Sequence, residues 1–387
     1  MMANITGARM TSNIAATRRM VDMAKDIALL DPNEGPFVTF LKALGQSARV
    51  VYDPKFEWLE DDLLETWSQT TGAAEDTATT VQVADGSIFR TGDVLKIPDT
   101  GENLLVTEVS ENQLTVVRGY GSTAATDIES GAAVLNIGPA MVENSSLRQV
   151  KSTLETNGYN YTQIFRTPLA LSGTEAASTL HGGKDRAYQR RKASIEHKRD
   201  IARAMYFGQR KEDLSGAAPR RTMGGLVEML GSANTAAFSS SGNPLTYRNF
   251  DNTVAKEVFR HGSQDKLLIA GPNLAAAINS WADKKLVTNV EKDTFGLRIK
   301  NLVTTYGELK VIYDPLLEGP VYGGYGFVLD TENVRYAYLE GRDTKLNVGI
   351  QSPDLDGVVD EYLTECSLEV RLPSTHMVIT GAYVPEE

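Results

Sequence analysis

Apolar and small residues recur at helical spacing through one long stretch of the chain, from Gly183 to Lys211. Residues three or four positions apart lie on one face of an α-helix. The stretch contains no helix breaker before Gly208, and turn-forming residues follow it. The pattern therefore predicts one long helix that buries a narrow stripe. The residues of that stripe are Ala187, Tyr188, Ser194, Ile195, Ile201, Ala202, Met205 and Tyr206.

The N-terminal region has too few apolar residues for a core of its own. Thr11–Leu30 has apolar positions at helical spacing, and the turn-forming sequence Asp31–Pro36 would end that helix. A second, short apolar helix follows and ends at Gly45, a residue type that commonly terminates helices. We predict that residues 1–48 form an arm that packs against another part of the protein.

Residues 79–137 change from helical spacing to an alternation of apolar and polar positions. Turn-forming residues separate the alternating runs, which is the pattern of short antiparallel strands. Five short strands at this spacing predict a small inserted β-barrel or β-sandwich. The flanking residues 49–78 and 138–168 would then lead the chain out to this unit and back. The five runs are 79–84, 94–98, 103–109, 113–119 and 133–138.

The C-terminal half mixes helices and strands without the regular alternation of parallel βαβ units. Residues 246–262 are predicted to form an amphipathic helix, Asp265–Gly271 a buried strand and Pro272–Lys285 a further helix. Strand-like runs follow toward the end of the chain. This order of elements predicts the α+β fold class.

Composition narrows the class of protein. The chain has 387 residues, 41% hydrophobic and 23% charged, which is typical of a globular protein with an ample core. A single cysteine, Cys366, excludes an internal disulfide and a multi-thiolate metal site, and its strand-like surroundings predict a buried thiol. The first twenty residues have no apolar stretch typical of a signal peptide. No apolar run approaches the roughly 20 residues that span a membrane, so we expect no membrane partner.

Charge is distributed unevenly along the chain. Between Lys184 and Lys211, ten basic and three acidic residues give +7, in a chain whose net charge is −11. A concentrated positive helix in an acidic protein needs either solvent or an anionic neighbour. Three interpretations stay open: a solvated face, contact with an acidic segment of another subunit, or contact with nucleic acid. The isoelectric point near 5.1 argues against nucleic-acid affinity over the whole surface.

An acidic segment complements the basic helix in charge. Arg49–Trp67 interleaves acidic residues with large apolar ones, three of them aromatic and therefore suited to packing against a partner. We interpret it as an extended surface arm. Five of its acidic residues follow one another with no base between them: Glu57, Glu60, Asp61, Asp62 and Glu65.

Motifs that would carry chemistry are weak. Gly119–Ala124 loosely matches a dinucleotide-binding pattern, but no apolar helix follows, so a β-turn is the better interpretation. Asp354–Glu361 lacks the ligand spacing of a calcium loop. The four histidines are scattered, and no nucleophile signature occurs. We therefore predict no catalytic, cofactor-binding or metal-binding residues, and expect that the protein is not an enzyme.

Taken in order, these segments resemble the major capsid proteins of tailed bacteriophages of the Hong Kong 97 type. Pro36-Phe37 with its apolar helix resembles the end of the family's N-terminal arm, and Glu57–Leu63 resembles its extended loop. The long basic helix resembles the spine helix. The run Thr305–Pro315 resembles the T-x-x-G-x-L-x-V-x-x-D stretch of the axial domain.

The resemblance implies a domain plan within the α+β class. An N-terminal arm takes residues 1–48, and an extended loop takes 49–78 and 138–168 around the inserted β-barrel-like domain at 79–137. A peripheral domain with the spine helix takes 169–220, and an axial domain takes 221–325. Residues 326–387 supply the closing strands of the peripheral domain.

The resemblance also implies a function: self-assembly into hexamers and pentamers of an icosahedral phage head that encloses double-stranded DNA. The extended loop of one subunit would lie across the spine helix of a neighbour. We expect the interface to join one acidic and one basic set from adjacent subunits. The set from the acidic segment is Glu57, Glu60, Asp61, Asp62 and Glu65 together with Trp58, and the basic set is Arg190, Arg191, Lys198 and Arg199.

Other partners follow from the same resemblance. If the spine helix does not contact a neighbouring subunit, it would face packaged DNA and bind it weakly and without sequence preference. The sequence starts almost at the arm, so we expect a separate scaffolding protein, together with a portal and assembly in the host cytoplasm. The alternative function is a soluble DNA-binding or enzymatic protein that uses the β unit as a ligand module.

Overall fold

The computed structural model describes residues 36–43, 48–178, 185–239, 242–285 and 300–382. The predicted helix Thr11–Leu30 lies outside these residues. The chain divides into two compact units. The larger unit comprises Met1–Trp58 and Gly158–Glu387, and the smaller unit comprises Leu59–Asn157.

The helices and strands are as follows. The helices are α1 Pro36–Ala43, α2 Gly173–Ala177, α3 Asp185–Phe207, α4 Leu226–Leu230, α5 Tyr247–Phe250, α6 Lys256–Val258 and α7 Pro272–Lys285. The strands are β1 Ala48–Val51, β2 Lys55–Glu60, β3 Trp67–Gln69, β4 Thr80–Gln82, β5 Asp93–Lys96, β6 Asn103–Ser110, β7 Gln113–Val117, β8 Ala133–Pro139, β9 Thr156–Tyr161, β10 Gln163–Ser172, β11 Lys211–Asp213, β12 Arg220–Thr222, β13 Thr235–Ala237, β14 Asp265–Ala270, β15 Lys300–Val303, β16 Glu308–Tyr313, β17 Gly326–Asp330, β18 Val334–Leu339, β19 Lys345–Asn347, β20 Gly357–Val370 and β21 Met377–Thr380.

The larger unit contains two main sheets. The first has the order β1-β18-β20-β10, with β19 also paired to β20. The second has the order β13-β21-β17-β14-β16-β15. Residues 326–387, expected to close one domain, contribute strands to both sheets, because β17 and β21 join the second and β18, β19 and β20 the first. Strand partners at such sequence separations do not follow from local apolar patterns.

Strand β14 is buried on both faces, as the sequence predicts. Leu267 and Ile269 point into a core shared with α1, α3 and the first sheet. Leu268 and Ala270 point into a second core shared with α5, α6 and α7. Successive side chains of a strand alternate between faces, so a continuous apolar run suits a sheet covered on both sides.

Helix α3 confirms the predicted long helix, although its buried stripe differs from the predicted one. The C-terminal part of the stripe is buried, from Ile195 to Tyr206, and it also includes Ala193 and His197. Ala187, by contrast, is exposed. Polar contacts rather than apolar packing hold the first turns of the helix, and these contacts involve residues far away in sequence. At the other end, a Cβ on Gly208 would lie 2.5 Å from the Ala204 carbonyl oxygen, so the turn there needs glycine.

Helix α1, the described part of the predicted arm, packs in the first core of the larger unit, while residues 1–35 and 44–47 lie outside the described residues. Its Phe37 is buried and stacks on Tyr206 of α3 with ring centroids 5.1 Å apart. Cys366 is buried in the same core, which confirms that prediction.

The smaller unit is built on a six-stranded antiparallel sheet with the order β3-β8-β5-β6-β7-β4. The five predicted runs overlap β4 to β8. The sixth strand, β3, is only three residues long and pairs with β8, so the sheet extends beyond residues 79–137. A turn brings Gly86 against Glu111, where a Cβ would lie 2.0 Å from the carbonyl oxygen and only glycine fits. Leu95, Leu104 and Val134 fill the core of this unit.

The chain passes between the two units through β2 and β9, which pair as a two-stranded ladder. Within the smaller unit, residues 61–66 and 140–155 have no helix or strand. They are parts of the predicted extended loop, residues 49–78 and 138–168, whose other residues include β1, β2, β3, β9 and part of β10. We call residues 61–66 the outgoing segment and residues 140–155 the returning segment.

Candidate functional site

The two units differ sharply in charge. The smaller unit, residues 59–157, holds five Lys or Arg and sixteen Asp or Glu, a net charge of −11. The remaining residues hold 34 of each sign, so the smaller unit carries the whole net charge of the protein. The basic helix α3 belongs to the larger unit. The charge complementarity seen in the sequence is therefore a complementarity between units.

The first turns of α3 are partly neutralised within the same chain, because two arginines share one carboxylate. Arg186 binds both carboxylate oxygens of Asp360, with Nη2–Oδ1 at 2.7 Å and Nε–Oδ2 at 2.8 Å. Arg190 Nε lies 2.8 Å from the same Oδ2. The Asp360 side chain on β20 is completely buried, and the Arg186 guanidinium holds the pKa of that carboxyl well below its ordinary value. Arg190, one of the four predicted interface cations, thus has an ion-pair partner in its own subunit.

Further along α3, two pairs of oppositely charged residues lie close together on the helix. Lys192 lies 3.9 Å from Glu196, and Arg203 lies 3.0 Å from Asp200. Exposed pairs of this kind contribute about 0.3–0.5 kcal/mol each. Of the other predicted interface cations, Arg191 is exposed, and Lys198 and Arg199 are half-buried.

His197 is the buried polar residue of α3 that the sequence did not reveal. Its Nδ1 lies 2.9 Å from the hydroxyl of Thr167 on β10, and its Nε2 lies 2.7 Å from that of Thr364 on β20. Burial lowers its pKa. These contacts fix the helix over the first sheet, so His197 has a structural role.

The predicted acidic residues are divided between the two units. Glu57 of β2 forms an ion pair with Lys55 at 2.5 Å in the larger unit. In the smaller unit, Asp61 Oδ1 accepts a 2.7 Å hydrogen bond from the hydroxyl of Thr153. Asp61 therefore ties the outgoing segment to the returning one within a single subunit. Asp62 and Glu65 are exposed, and Glu60 is half-buried.

Trp58 is buried in its own subunit, although the sequence-based prediction places it at an interface between subunits. It is only 6% exposed and packs with Val51, Phe56 and Ala337 in a small core. Gly158 of β9 crosses this ring so closely that a Cβ there would lie 2.5 Å from Trp58 Nε1. Because side chains of β2 alternate between its two faces, Phe56 and Trp58 both point inward, and their apolar surface packs within their own chain.

The returning segment of the smaller unit is anchored by basic side chains. Arg148 Nη2 donates to Oδ1 of Asp93, whose other oxygen accepts from Asn136 Nδ2 at 3.0 Å. Lys151 Nζ donates to the carbonyl oxygens of Ser87 at 2.6 Å and Phe89 at 2.5 Å. Asp93 is completely buried. None of these residues was predicted from the sequence, in which Arg148 and Lys151 stand three positions apart in a unit of net charge −11.

Neither a metal-binding cluster nor a membrane-spanning helix occurs among the described residues. Within those ranges, no group of three or more His, Cys, Asp or Glu side chains is arranged to hold a metal ion. Nor does any helix in the described part of the chain combine the length and apolarity needed to cross a membrane. The features that stand out are charged and apolar surfaces.

Comparison with known proteins agrees with this picture. The SU10 major capsid protein family matches residues 4–383. The major capsid protein of Pseudomonas phage PaMx41 is 25% identical over 341 residues, which cover 81% of each chain. The capsid structure of the cyanophage P-SCSP1u is 10% identical, covers 99% of this chain and 100% of its own, and superposes with a TM-score of 0.50.

The fold is accordingly of the Hong Kong 97 capsid type, and the match to the SU10 family runs over nearly the whole chain. That family is structural, so the expectation of a non-enzymatic protein is confirmed. The chain belongs to the SU10 major capsid protein family, whose members build the capsid of a bacteriophage virion.

Proposed function

We propose that the capsid is held together by contact between the acidic smaller unit of one subunit and the basic helix α3 of the next. The observation that carries the proposal is charge segregation: the smaller unit has a net charge of −11, whereas the remainder is neutral and concentrates cations on α3. Opposite charges on adjacent subunits favour one register of assembly and disfavour contacts between like surfaces.

The residues in this contact are a subset of those predicted from the sequence. Asp62 and Glu65 are exposed acids of the outgoing segment, as is Asp61, and Arg191 is an exposed cation of α3. Lys198 and Arg199 lie on the same helix and are half-buried. Glu57 lies in the larger unit, Asp61 joins the outgoing segment to the returning one, and Arg190 binds the buried Asp360, so we assign these three a supporting role.

Each ion pair is weak, but the shell repeats it. A single exposed pair contributes about 0–1 kcal/mol. Every subunit repeats the same contact around a closed assembly, and the sum determines partner choice and register more than the stability of a subunit. We infer that these contacts operate in hexamers and pentamers, with a separate scaffolding protein and a portal, and that assembly takes place in the host cytoplasm.

The experiment that tests the proposal is reversal of one exposed acid. Asp62→Lys should reduce the yield of shells while leaving the thermal unfolding of the unassembled subunit unchanged, because Asp62 is at the surface. Asp99→Lys is the matched control, since Asp99 is an exposed acid of the same unit outside the segment. Shell yields counted by electron microscopy should fall for the first variant only. Equal yields from Asp62→Lys and the wild type contradict the proposal.

Contact between α3 and packaged DNA is the other candidate. The acidity of the smaller unit and the ion pairs of Arg186 and Arg190 argue against strong binding. Any such binding would be independent of sequence and would weaken steeply with salt. A filter-binding titration of unassembled subunits with duplex DNA at low and moderate salt tests it, and we expect weak retention lost at moderate salt.

A further inference from the structure

Four polar side chains are buried together where the chain crosses between the two main sheets of the larger unit. The first crossing, residues 331–333, leads from β17 of the second sheet to β18 of the first. The second crossing, residues 371–376, leads from β20 back to β21. Burial of polar groups is costly unless they are hydrogen-bonded, so the arrangement depends on their contacts. The four residues, each at most 2% exposed, are Lys266, Asp330, Thr375 and His376.

Lys266 of β14 holds the second crossing against the second sheet. Its Nζ donates to the carbonyl oxygen of Thr375 at 2.7 Å and to that of His261 at 2.9 Å, and it lies 3.6 Å from Oδ2 of Asp330. Asp330, at the end of β17, also accepts the backbone amide of Ser263 at 2.8 Å. The buried charges of Lys266 and Asp330 are therefore paired, and their other contacts are to the backbone around the crossings.

His376 joins the two crossings to each other. Its Nδ1 accepts the backbone amide of Asp330 at 2.9 Å, and its Nε2 donates to the carbonyl oxygen of Arg371 at 3.0 Å. The backbone amide of Arg371 in turn donates to the carbonyl oxygen of Asn333 at 2.9 Å. An imidazole that accepts at one nitrogen and donates at the other is neutral. The arrangement of the crossings therefore requires an uncharged ring.

The second crossing also contains a strained residue. Leu372 has a left-handed backbone with φ of 48°, which is unfavourable for a leucine. Strain of this kind persists only where surrounding contacts maintain it, and it is common in segments that switch. The carbonyl oxygen of Leu372 accepts the backbone amide of Thr375 at 2.8 Å, and Lys266 binds Thr375. Loss of these contacts would let the crossing relax.

Two charged side chains face His376, Lys266 from β14 and Asp330 from β17. Burial lowers the pKa of His376 to about 4, with a smaller contribution from Lys266, while the Arg371 carbonyl and Asp330 oppose the shift. A proton on Nδ1 would remove the acceptor of the Asp330 amide and place a second cation near Lys266. The other charged or titratable groups around the crossings have partners elsewhere or are exposed: Arg371 binds Glu369, Glu228 of α4 binds Arg210, and His261 and Glu332 are exposed.

We propose that Lys266, Asp330, Thr375 and His376 form an acid-sensitive lock that fixes the angle between the two sheets. The apolar core that the sheets share is non-directional, whereas the hydrogen bonds of the lock are satisfied in one geometry. At neutral pH the lock is closed. In acid, a proton on His376 breaks the hydrogen bond from the Asp330 amide and the second crossing separates. The sheets can then turn relative to each other while each keeps its own strand pairing.

Hydrogen–deuterium exchange of the unassembled subunit between pH 7 and pH 5, read by mass spectrometry, tests the lock. Protection factors, corrected for the intrinsic pH dependence of exchange, are compared between the two crossings and the centres of β14 and β20. Opening returns the pKa of His376 from about 4 to about 6.5, so linkage predicts that protection of residues 371–376 falls about twentyfold over this range. At pH 5 the crossings should be about tenfold less protected than the strand centres, because the sheets stay folded.

Two variants assign the effect to the buried ring. His376→Asn cannot titrate, so protection of the crossings should change by less than about threefold between pH 7 and pH 5. His261→Asn is the matched control, because it removes an exposed histidine beside the lock and leaves the His261 carbonyl group in place. This control should keep the full fall seen in the wild type. All measurements use unassembled subunits, so the test is independent of the assembly proposed above.

Three results would overturn the inference. If the crossings are as strongly protected as the strand centres at pH 5, they open only when the whole subunit unfolds, and there is no separate lock. Unchanged protection between pH 7 and pH 5 in the wild type would show that His376 does not control the crossings, and this result stands even if His376→Asn fails to fold. A fall of wild-type size in folded His376→Asn would assign the acid sensitivity to another group.

Discussion

The hydroxyl of Tyr206 on α3 donates a 2.6 Å hydrogen bond to Oδ2 of Asp314, at the end of β16. Both residues are completely buried. Burial raises the pKa of each, and the backbone amide of Leu316 donates to the other oxygen of Asp314 at 2.9 Å. The Tyr206 ring lies against Phe37 of the arm helix and Phe327 of the second sheet, with centroids 5.1 Å and 5.0 Å away. One side chain therefore joins the arm, the long helix and the second sheet.

Removing that hydroxyl should destabilise the subunit. Tyr206→Phe keeps the aromatic packing but leaves a buried carboxyl oxygen without its donor, and such a loss costs about 1–3 kcal/mol. Urea denaturation of the unassembled subunit measures it. Tyr247→Phe, at an exposed tyrosine, is the control and should change the free energy of unfolding by less than about 0.5 kcal/mol. A Tyr206→Phe variant as stable as the control would show that this hydrogen bond does not stabilise the fold.

Asp360 should stabilise the start of α3 in a pH-dependent way. Asp360→Asn removes the charge that binds Arg186 and Arg190, and hydrogen bonds to charged groups contribute about 1.5–3 kcal/mol. The Arg186 guanidinium lowers the folded-state pKa of Asp360 below its unfolded value of about 3.9. The stabilising contribution is therefore fully present above about pH 4 and is lost as the pH falls through the folded-state pKa.

The measurement is the difference in unfolding free energy between wild type and Asp360→Asn from pH 7 to pH 3. It should be constant above about pH 4 and shrink below it. Asp354→Asn, which alters an exposed acid of the same region, should give a much smaller difference. A difference for Asp360→Asn that grows on acidification contradicts the assignment.

His376 should make the subunit less stable at mildly acidic pH. Its Nδ1 accepts the backbone amide of Asp330 at 2.9 Å, and its Nε2 lies 3.0 Å from the Arg371 carbonyl oxygen, so the ring is held neutral. Burial lowers its pKa to about 4, against about 6.5 in the unfolded chain. The unfolded state binds the extra proton between these values, so stability falls as the pH drops from 6.5 toward 4.

The size of this effect is on the order of 3 kcal/mol, from 1.36 kcal/mol per pKa unit. Unfolding experiments between pH 4 and pH 7 should show the loss in the wild type. His376→Asn keeps an acceptor near Nδ1 and cannot titrate, so its stability should depend less on pH in that range. Parallel pH profiles for the two proteins would exclude His376 as the source.

Local patterns predicted several of the elements but not their partners. The stripe at helical spacing predicted α3, and alternation predicted runs that overlap β4 to β8, because each element's pattern lies within a few adjacent residues. Arg190 and Asp360 are 170 positions apart, and nothing in either neighbourhood indicates that they meet. The burial of Trp58 depends on which face of β2 is covered, which the apolar count alone does not determine. The position of residues 140–155 depends on the contacts of Arg148 with Asp93 on β5 and of Lys151 with the carbonyl oxygens of Ser87 and Phe89, which are 55 to 64 positions away.

Charge exchange between subunits is the most direct test of the central claim. Asp62→Lys is combined in turn with Arg191→Glu, Lys198→Glu and Arg199→Glu, and closed shells are counted by negative-stain electron microscopy at low salt. We predict that Asp62→Lys lowers the yield and that at least one of the three reversals on α3 restores it, because the pair is rebuilt with its charges exchanged. Wild-type yields from Asp62→Lys alone, or no restoration by any of the three, would contradict contact between the acidic unit and α3.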